Sequence, residues 1–472
     1  MAENKQASGG NMAVNYGLAK RIMEELGENV HLCYQCVKCT SGCPVGQYFD
    51  WQPNQIMRSV QLGQEDVALE SETPWLCASC HTCATRCPQG LDITAIMEFL
   101  TREAKERGIK PKIPEVDVFN KAFMREVKLW GRAYEPGLMA EYKLRTIGNG
   151  KLLDDAGMYI NMLKKRKVGF LPKKVSPSKN VKPIPGAENS IAYYPGCSLH
   201  SSATEYDVST KAVCEAVGLN LIEPEDWLCC GASAAHRSDP EEGLRLPLEN
   251  LALIEKSGFK EVTMPCASCF NRHKTAQHEF RHDEEKRTAM SEIGYQDNLQ
   301  VSTLSETLLR HVGTTGISDK VKRPLEGLRV VSYYGCLLTR PAEVTEVEDP
   351  ENPIDLDELM TALGAEVIDW SYKTSCCGAS HSLSRPDIVR NLSGSIVSHA
   401  QEAGADVIAV ACPLCHMNLD ARQGQMTLED TTPVMFFTQL MALALGLPEK
   451  AAALNKNMVD PRELLRSKNL ID

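Results

Sequence analysis

Eighteen of the nineteen cysteines fall into four arrays whose spacing suits metal chemistry. The first two runs are Cys33, Cys36, Cys39, Cys43 and Cys77, Cys80, Cys83, Cys87, closed by Pro44 and Pro88. Both read C-x2-C-x2-C-x3-C-P. This is the bacterial ferredoxin spacing, in which three close thiolates wrap one corner of a cubane [4Fe–4S] cluster and the fourth ligates the neighbouring cluster. The pattern predicts one cubane on Cys33, Cys36, Cys39 and Cys87, and another on Cys77, Cys80, Cys83 and Cys43. The other two arrays hold five cysteines each: Cys197, Cys229, Cys230, Cys266 and Cys269, then Cys336, Cys376, Cys377, Cys412 and Cys415. A zinc ion or a cubane takes four ligands. Adjacent Cys-Cys side chains diverge, so a larger or irregular cluster suits five thiolates better than a four-ligand site with a spare. Cys214, inside KAVCEAVG, is left over and reads as a buried small hydrophobe.

The elements around these cysteines differ in kind. No strand pattern flanks the first two runs. A helical connector is expected over residues 54–69. After the second run, Asp92 can cap a helix whose apolar stripe is Ile93, Ile96, Met97, Leu100 and Ala104, with Gly108 to end it. From residue 191 the chain repeats itself. IAYYPGCSLHSS is matched by VVSYYGCLLTRP from residue 330, and Cys-Cys-Gly-Ala-Ser stands at 229–233 and 376–380. Apolar strands are expected at 261–265 and 406–411, each running into C-x-x-C. Helix alternating with strand predicts two α/β lobes, and the matching cysteines predict pseudo-two-fold sites that face each other. The expected fold class is α+β multidomain. A helical ferredoxin-like domain covers 1–130, a basic, proline-containing linker 131–188, a first lobe 189–322, and a second lobe with a C-terminal tail 323–472.

The 472 residues carry a net charge of -11 and are 43% hydrophobic. Such a chain builds ordinary cores and lacks the basic face that nucleic-acid binding needs. The lysine-rich stretch 161–183 has no acidic residue and reads as a solvated linker, or else as a docking site for an acidic partner or anionic substrate. No signal peptide is read at the start. Residues 434–447 form the longest apolar run and are too short to span a bilayer, so a buried helix is expected there. A cytoplasmic location follows, where free thiols favour metal over disulfides. Neither a dinucleotide-binding nor a P-loop glycine pattern is present, so no flavin or nicotinamide site is expected.

The segments LCYQCVKCTSGCPVG and PWLCASCHTCATRCPQGLDI resemble the C-type, dicluster ferredoxin component of heterodisulfide reductase. The two C…CCG…C-x-x-C repeats resemble the paired CCG domains of its B-type component. The chain looks like a fusion in the order C-type then B-type, over roughly residues 25–445. The resemblance implies two cubane clusters and a noncubane [4Fe–4S] cluster on each five-cysteine set. It also implies a cytoplasmic hetero-oligomer with a flavoprotein resembling the A-type component, and a hydrogenase or formate dehydrogenase module as a further partner. The implied activity is reduction, or formation, of a disulfide between low-molecular-weight thiols. Looser relatives instead imply a relay without its own substrate, as in thiol:fumarate reductase, glycolate dehydrogenase, anaerobic glycerol-3-phosphate dehydrogenase or quinone-linked systems.

Cleaving a disulfide takes two electrons and yields two thiolates. Two facing sites could each hold one sulfur while the cubanes feed single electrons inward. The released thiolates need protons, and His236 and His381, which follow the two CCG motifs, titrate in the right range. Arg237, Arg272, Lys274, Arg340 and Arg385 stand near cluster motifs and could hold an anionic substrate.

Overall fold

The computed structural model describes residues 17–147, 155–169, 172, 174–176 and 181–472. Residues 1–16 and the basic-stretch residues Lys173, Pro177 and Lys179 lie outside the described residues. The chain divides into two compact units. One takes the residues up to 77 together with 81–114, and the other takes 78–80 with 115–472.

The first unit is helical, as the absence of strand patterning predicts. Its main helices are α1 (Gly17–Leu26), α2 (Pro53–Gln61), α3 (Glu65–Glu70) and α4 (Ile93–Glu106). The connector expected as one helix is two, α2 and α3, because Gly63 adopts φ +67° between them. A Gln52–Gln55 capping box with Pro53 at the first position starts α2. Asp92 caps α4 by accepting from Ala95 N at 3.0 Å. The whole expected stripe of α4 is buried, and Gly108 at φ +74° follows its end.

The second unit begins with three helices: α5 (Pro114–Trp130), α6 (Glu135–Arg145) and α7 (Ala156–Lys164). The sequence pattern assigns most of this segment to a linker. Part of its apolar surface is spent on packing: Ala122, Phe123, Val127 and Leu138 are buried in one cluster with Leu228, Cys229, Ala234, Ala235 and Leu246 of the first lobe.

Each repeat then builds a four-stranded parallel sheet. The first contains β1 (Ile191–Tyr193), α8 (Thr204–Val217), β2 (Leu221–Ile222), α9 (Pro240–Lys256), β3 (Glu261–Met264), α10 (Ala267–His282) and β4 (Gln300–Thr303). The second contains β5 (Arg329–Tyr333), α11 (Asp355–Ala362), β6 (Glu366–Val367), α12 (Pro386–Glu402), β7 (Val407–Val410), α13 (Pro413–Ala421), β8 (Val434–Phe436) and α14 (Phe437–Ala444). The strand orders are β2-β1-β3-β4 and β6-β5-β7-β8, the same topology twice. The run 434–447, expected as a helix, starts as strand β8, because Val434–Phe436 pairs with Ile408–Val410 at the sheet edge.

The lobes share one core. Tyr206 of α8 stacks on Phe436 with ring centroids 4.1 Å apart and donates to Ala411 O at 3.2 Å. Ser209 and Thr438 hydroxyls meet at 2.6 Å between α8 and α14. Among the described residues no helix is long and apolar enough to cross a membrane.

Candidate metal centre

In a parallel α/β sheet, residues at the carboxyl ends of adjacent strands converge. Both repeats use this geometry. β1 and β3 are neighbours, with Tyr193 opposite Thr263, so the chain leaving β1 delivers Cys197 beside Cys266, which follows β3. β5 and β7 are paired likewise, Tyr333 opposite Val410, and deliver Cys336 and Cys412. Cys266 and Cys412 are the N-cap residues of α10 and α13. Cys266 is held below the usual thiol range, first by its hydrogen bond with Cys269. Cys269 and Cys415 follow one turn later on the same face.

The adjacent cysteines turn to different partners, and in the first lobe Cys229 and Cys230 also hydrogen-bond each other. Cys230 Sγ lies 3.5 Å from Cys269 Sγ, while Cys229 hydrogen-bonds Cys197. In the second lobe Cys377 Sγ lies 3.5 Å from Cys415 Sγ, while Cys376 hydrogen-bonds Cys336. The Cys197 hydrogen bond pulls the Cys229 thiol well down, and the same bond pushes Cys197 up. Cys377 is held down by Cys415, which is pushed up in turn. Among the described residues no three His, Cys, Asp or Glu side chains gather round a single metal ion. Hydrogen bonds instead link Cys197, Cys229, Cys230, Cys269 and Cys266 in one chain in the first set, and join Cys336 to Cys376 and Cys377 to Cys415 and Cys412 in the second, a spread of donors suited to a group with several irons, where different ligands serve different metals.

Two glycines make room for the sulfurs. Gly196 adopts φ +73°, and a Cβ there would sit 2.7 Å from Cys269 Sγ. Gly335 adopts φ +70°, and its Cβ would sit 2.9 Å from Cys415 Sγ. Only glycine tolerates both the left-handed backbone and that approach. All-thiol donor sets lodged in glycine-lined cradles fit iron–sulfur clusters chemically.

Two tyrosines that sequence reasoning passed over hold the Cys-Cys pairs in place. Tyr194 OH donates to Leu228 O at 2.5 Å, and Tyr333 OH donates to Ser375 O at 2.6 Å. Each accepting carbonyl immediately precedes a Cys-Cys pair. Burial, and then the surrounding thiols, keep both phenols protonated donors by raising them well above the usual range. Their place in the tyrosine pairs that close β1 and β5 was the available signal.

A cavity of about 220 Å³ opens on the first set, touching Cys197, Cys229, Cys230, Cys266 and Cys269. Helices α5–α7 give it an apolar wall of Phe119, Phe123, Leu138, Met139, Met158 and Met162, and Asn418 and Arg422 of the second lobe also line it. A smaller cavity, about 70 Å³, opens on Cys336, Cys376, Cys377, Cys412 and Cys415. The two share the wall residues Ala232, Ser233, Ser268, Ala379 and Leu414. Glu135, also absent from the sequence reading, lines the larger cavity. Its Oε1 accepts from Ser202 Oγ at 2.8 Å, and burial raises its carboxyl above the usual range.

The expected polar residues part company. His236 and Arg272 line the smaller cavity. His381 is fully buried, with Nδ1 3.4 Å from Ser384 Oγ. Lys274 pairs with Glu346 at 2.6 Å, Arg340 with Glu351 at 2.6 Å, and Arg385 with Asp387 at 2.6 Å. Arg237 is buried. Of the five basic candidates, Arg272 is the one that lines either of these cavities.

Two short helices of the first unit, Lys38–Ser41 and Thr82–Thr85, carry Cys39 and Cys83 and contact each other. Their N-caps, Val37 at φ 66° and His81 at φ 54°, take equivalent left-handed conformations. Cys36 is exposed and Cys39 buried. Cys214 is buried, and burial pushes its thiol up to about 12.

A cysteine-rich domain family matches residues 191–272 and 330–420, and a 4Fe-4S dicluster domain family matches 32–92. The chain is similar to the 8-methylmenaquinol:fumarate reductase membrane anchor subunit of Wolinella succinogenes, at 31% identity over 59% of this chain and 99% of that protein. It is similar to the B-type component of the ferredoxin/F(420)H(2)-dependent CoB-CoM heterodisulfide reductase of Methanosarcina acetivorans, at 26% identity over 58% of this chain and 95% of the relative. Its N-terminal part is similar to a C-type iron-sulfur component of the CoB--CoM heterodisulfide reductase of Methanocaldococcus jannaschii, at 38% identity over 18% of this chain and 45% of the relative.

Proposed function

Because the chain belongs to the heterodisulfide reductase family of iron–sulfur electron-transfer subunits, with a C-like dicluster segment ahead of two B-like cysteine-rich domains, we propose that it reduces or forms the disulfide of low-molecular-weight thiols within a larger complex. The observation that carries this reading is the common wall between two cavities, each faced by a five-cysteine set. A single-site relay has no need of two thiol-lined chambers side by side. A disulfide has two sulfurs to part.

The proposed ligand sets are those expected from the sequence: Cys33, Cys36, Cys39 and Cys87; Cys77, Cys80, Cys83 and Cys43; and all five cysteines of each repeat, as noncubane [4Fe–4S] sites. When bound, these clusters supply single electrons at the potential of iron–sulfur centres. The rest of the chemistry falls to side chains. The apolar wall of the larger cavity excludes water and holds the non-reacting part of the substrate. Glu135, whose carboxyl burial raises above the usual range, delivers a proton to one released thiolate and is oriented by Ser202 Oγ. His236 does the same in the smaller cavity, where Arg272 offsets substrate charge. His381 serves by positioning the chain after Gly378. Electrons arrive from a flavoprotein partner.

The test is an anaerobic titration of the iron-loaded protein, reduced with a low-potential dye and then offered disulfides of small thiols. The expected result is two electrons consumed per disulfide, with a paramagnetic signal that appears only with the oxidised substrate. Clusters that reduce fully but are never reoxidised by any disulfide would defeat the proposal. That outcome would favour a second reading, an electron relay to a quinone pool, which the apolar cavity and the methylmenaquinol-linked relative support.

A further inference from the structure

Helices α6 and α7 carry large apolar side chains on the wrong side for a core. Leu144 is 70% exposed and Ile147 58%, at the end of α6, while Ile160 is 51% and Leu163 45% exposed on α7. The two helices touch through Tyr159 OH and Met139 Sδ, 3.2 Å apart. Basic side chains surround the apolar ones. Arg145, Lys164, Arg166 and Lys174 are all exposed, and no acidic residue occurs from 161 to 183 in a chain whose net charge is -11. Among the described residues, two acids of this segment are engaged: Glu141 pairs with Arg145 at 2.8 Å, and Asp155 with Arg422 at 3.0 Å. Lys167 is spent inwardly on Glu205, and Lys165 on Asn455 O at 3.1 Å.

An exposed apolar stripe edged by cations is the composition of a helix that lies in a lipid headgroup layer. We propose that α6 and α7 dock the protein on an anionic membrane surface. The apolar four enter the boundary between headgroups and acyl chains. Lys164, Arg166 and Lys174 meet the lipid phosphates, attracted as juxtamembrane cations are. A soluble protein partner would equally cover apolar residues, but the exposed cations Lys164, Arg166 and Lys174, in a stretch with no acid from 161 to 183, favour a surface of uniform negative charge.

The placement has a consequence for the cavity. The opposite face of α7 supplies Met158, Tyr159 and Met162 to the wall of the larger chamber. One helix, roughly 10 Å across, then separates lipid from the first cysteine set. An apolar reactant dissolved in the membrane would have a short path to it.

The experiment is co-sedimentation of the full-length protein with vesicles. One set is phosphatidylcholine alone, and the other is phosphatidylcholine mixed with phosphatidylglycerol. Binding is expected only to the anionic vesicles at about 0.1 M salt, with release at about 0.5 M. Ile160→Glu with Leu163→Glu, and separately Leu144→Glu with Ile147→Glu, are each expected to weaken partitioning by at least about tenfold. Lys164→Ser with Arg166→Ser is expected to weaken it about tenfold as well. All three pairs are at exposed positions, and unchanged thermal melting of the unbound variants confirms their folding. Wild-type protein that stays in solution with anionic vesicles overturns the proposal. So do variants that sediment like wild type, and so does a dimer abolished by these substitutions while vesicle binding persists.

Discussion

Replacing Gly196 by alanine separates the two reasons that residue is glycine. Its φ of +73° costs any L-residue about 1 kcal/mol, and the new Cβ would lie 2.7 Å from Cys269 Sγ. Non-bonded heavy atoms settle at about 3.5–4.0 Å, so the sulfur must retreat by about 1 Å in a packed interior. Overpacking of that kind costs about 1–3 kcal/mol. The sum, about 2–4 kcal/mol, falls on one of the five sulfurs of the first set. Gly218→Ala is the control, because Gly218 also has positive φ, +89°, but its Cβ would meet nothing within 4 Å. It should cost only the backbone part, about 1 kcal/mol. Chemical denaturation of the reduced, metal-free proteins reads the difference. Iron and sulfide counts after anaerobic reconstitution read its effect on the site. Gly196→Ala should lose about a quarter of the bound iron if four equivalent four-iron clusters are present, and Gly218→Ala none. Should Gly196→Ala unfold with Gly218→Ala and keep all its iron, the cradle argument fails, and with it the placing of Cys269 as a ligand.

Other consequences can be checked directly. Cys214→Ala should keep full iron at a stability cost of about 1–2 kcal/mol, whereas alanine at any of the other eighteen cysteines should lower the iron count, measured on the same reconstituted samples. Glu135 has a raised carboxyl, so its ionisation costs stability as pH rises from the ordinary 4.5 through the folded value. Glu135→Gln should therefore raise the neutral-pH melting temperature while slowing disulfide turnover, and a fall in both would remove it as a proton donor. For Glu223, burial alone would raise the carboxyl, but hydrogen bonds from His200 and Trp227 take it to about 2. Its stabilisation is complete above 4.5 and is lost as pH falls toward 2, so Glu223→Gln should flatten the acid limb of the pH–stability curve.

The fold was legible where a residue's role depends on near neighbours in sequence. Asp92, the α4 stripe and Gly108 mark a helix because caps and amphipathic period are local. The repeat announced itself because both copies keep the same cysteine motifs, and strands β3 and β7 lie within a residue or two of their expected places. What escaped notice was built from distant partners. β4 has only four residues, begins with Gln300 and ends with Thr303, so its strand state comes from pairing with β3 and not from its own pattern. β8 was hidden inside a longer apolar run. Glu135 and Ser202 are unremarkable in sequence and meet only when α6 lies against the first lobe. The lysines and prolines of 161–183 suggested solvent, and nothing local revealed that Lys167 would be buried against Glu205.

The two lobes are alike in their chemistry and unlike in their surroundings. The sulfur pairs, glycine cradles and tyrosine hydrogen bonds recur in both repeats, so the repeats by themselves predict twin chambers. The chambers differ about threefold in volume, 220 against 70 Å³, and the difference is not made by the repeats. It is made by α5, α6 and α7, which lay phenylalanine, leucine and methionine over the first set alone and bring Glu135 with them. Under the proposed function, thiol chemistry is thus encoded in the duplicated lobes, while the choice of reactant is encoded in the unduplicated segment that precedes them. Substitutions in Phe119, Phe123, Met139 or Met158 should consequently alter which substrates are accepted and leave iron content and cluster spectra intact. Changes at the cysteines should do the reverse. A Met158→Phe variant that lost iron, or that processed every substrate as before, would show that this division of labour is wrong.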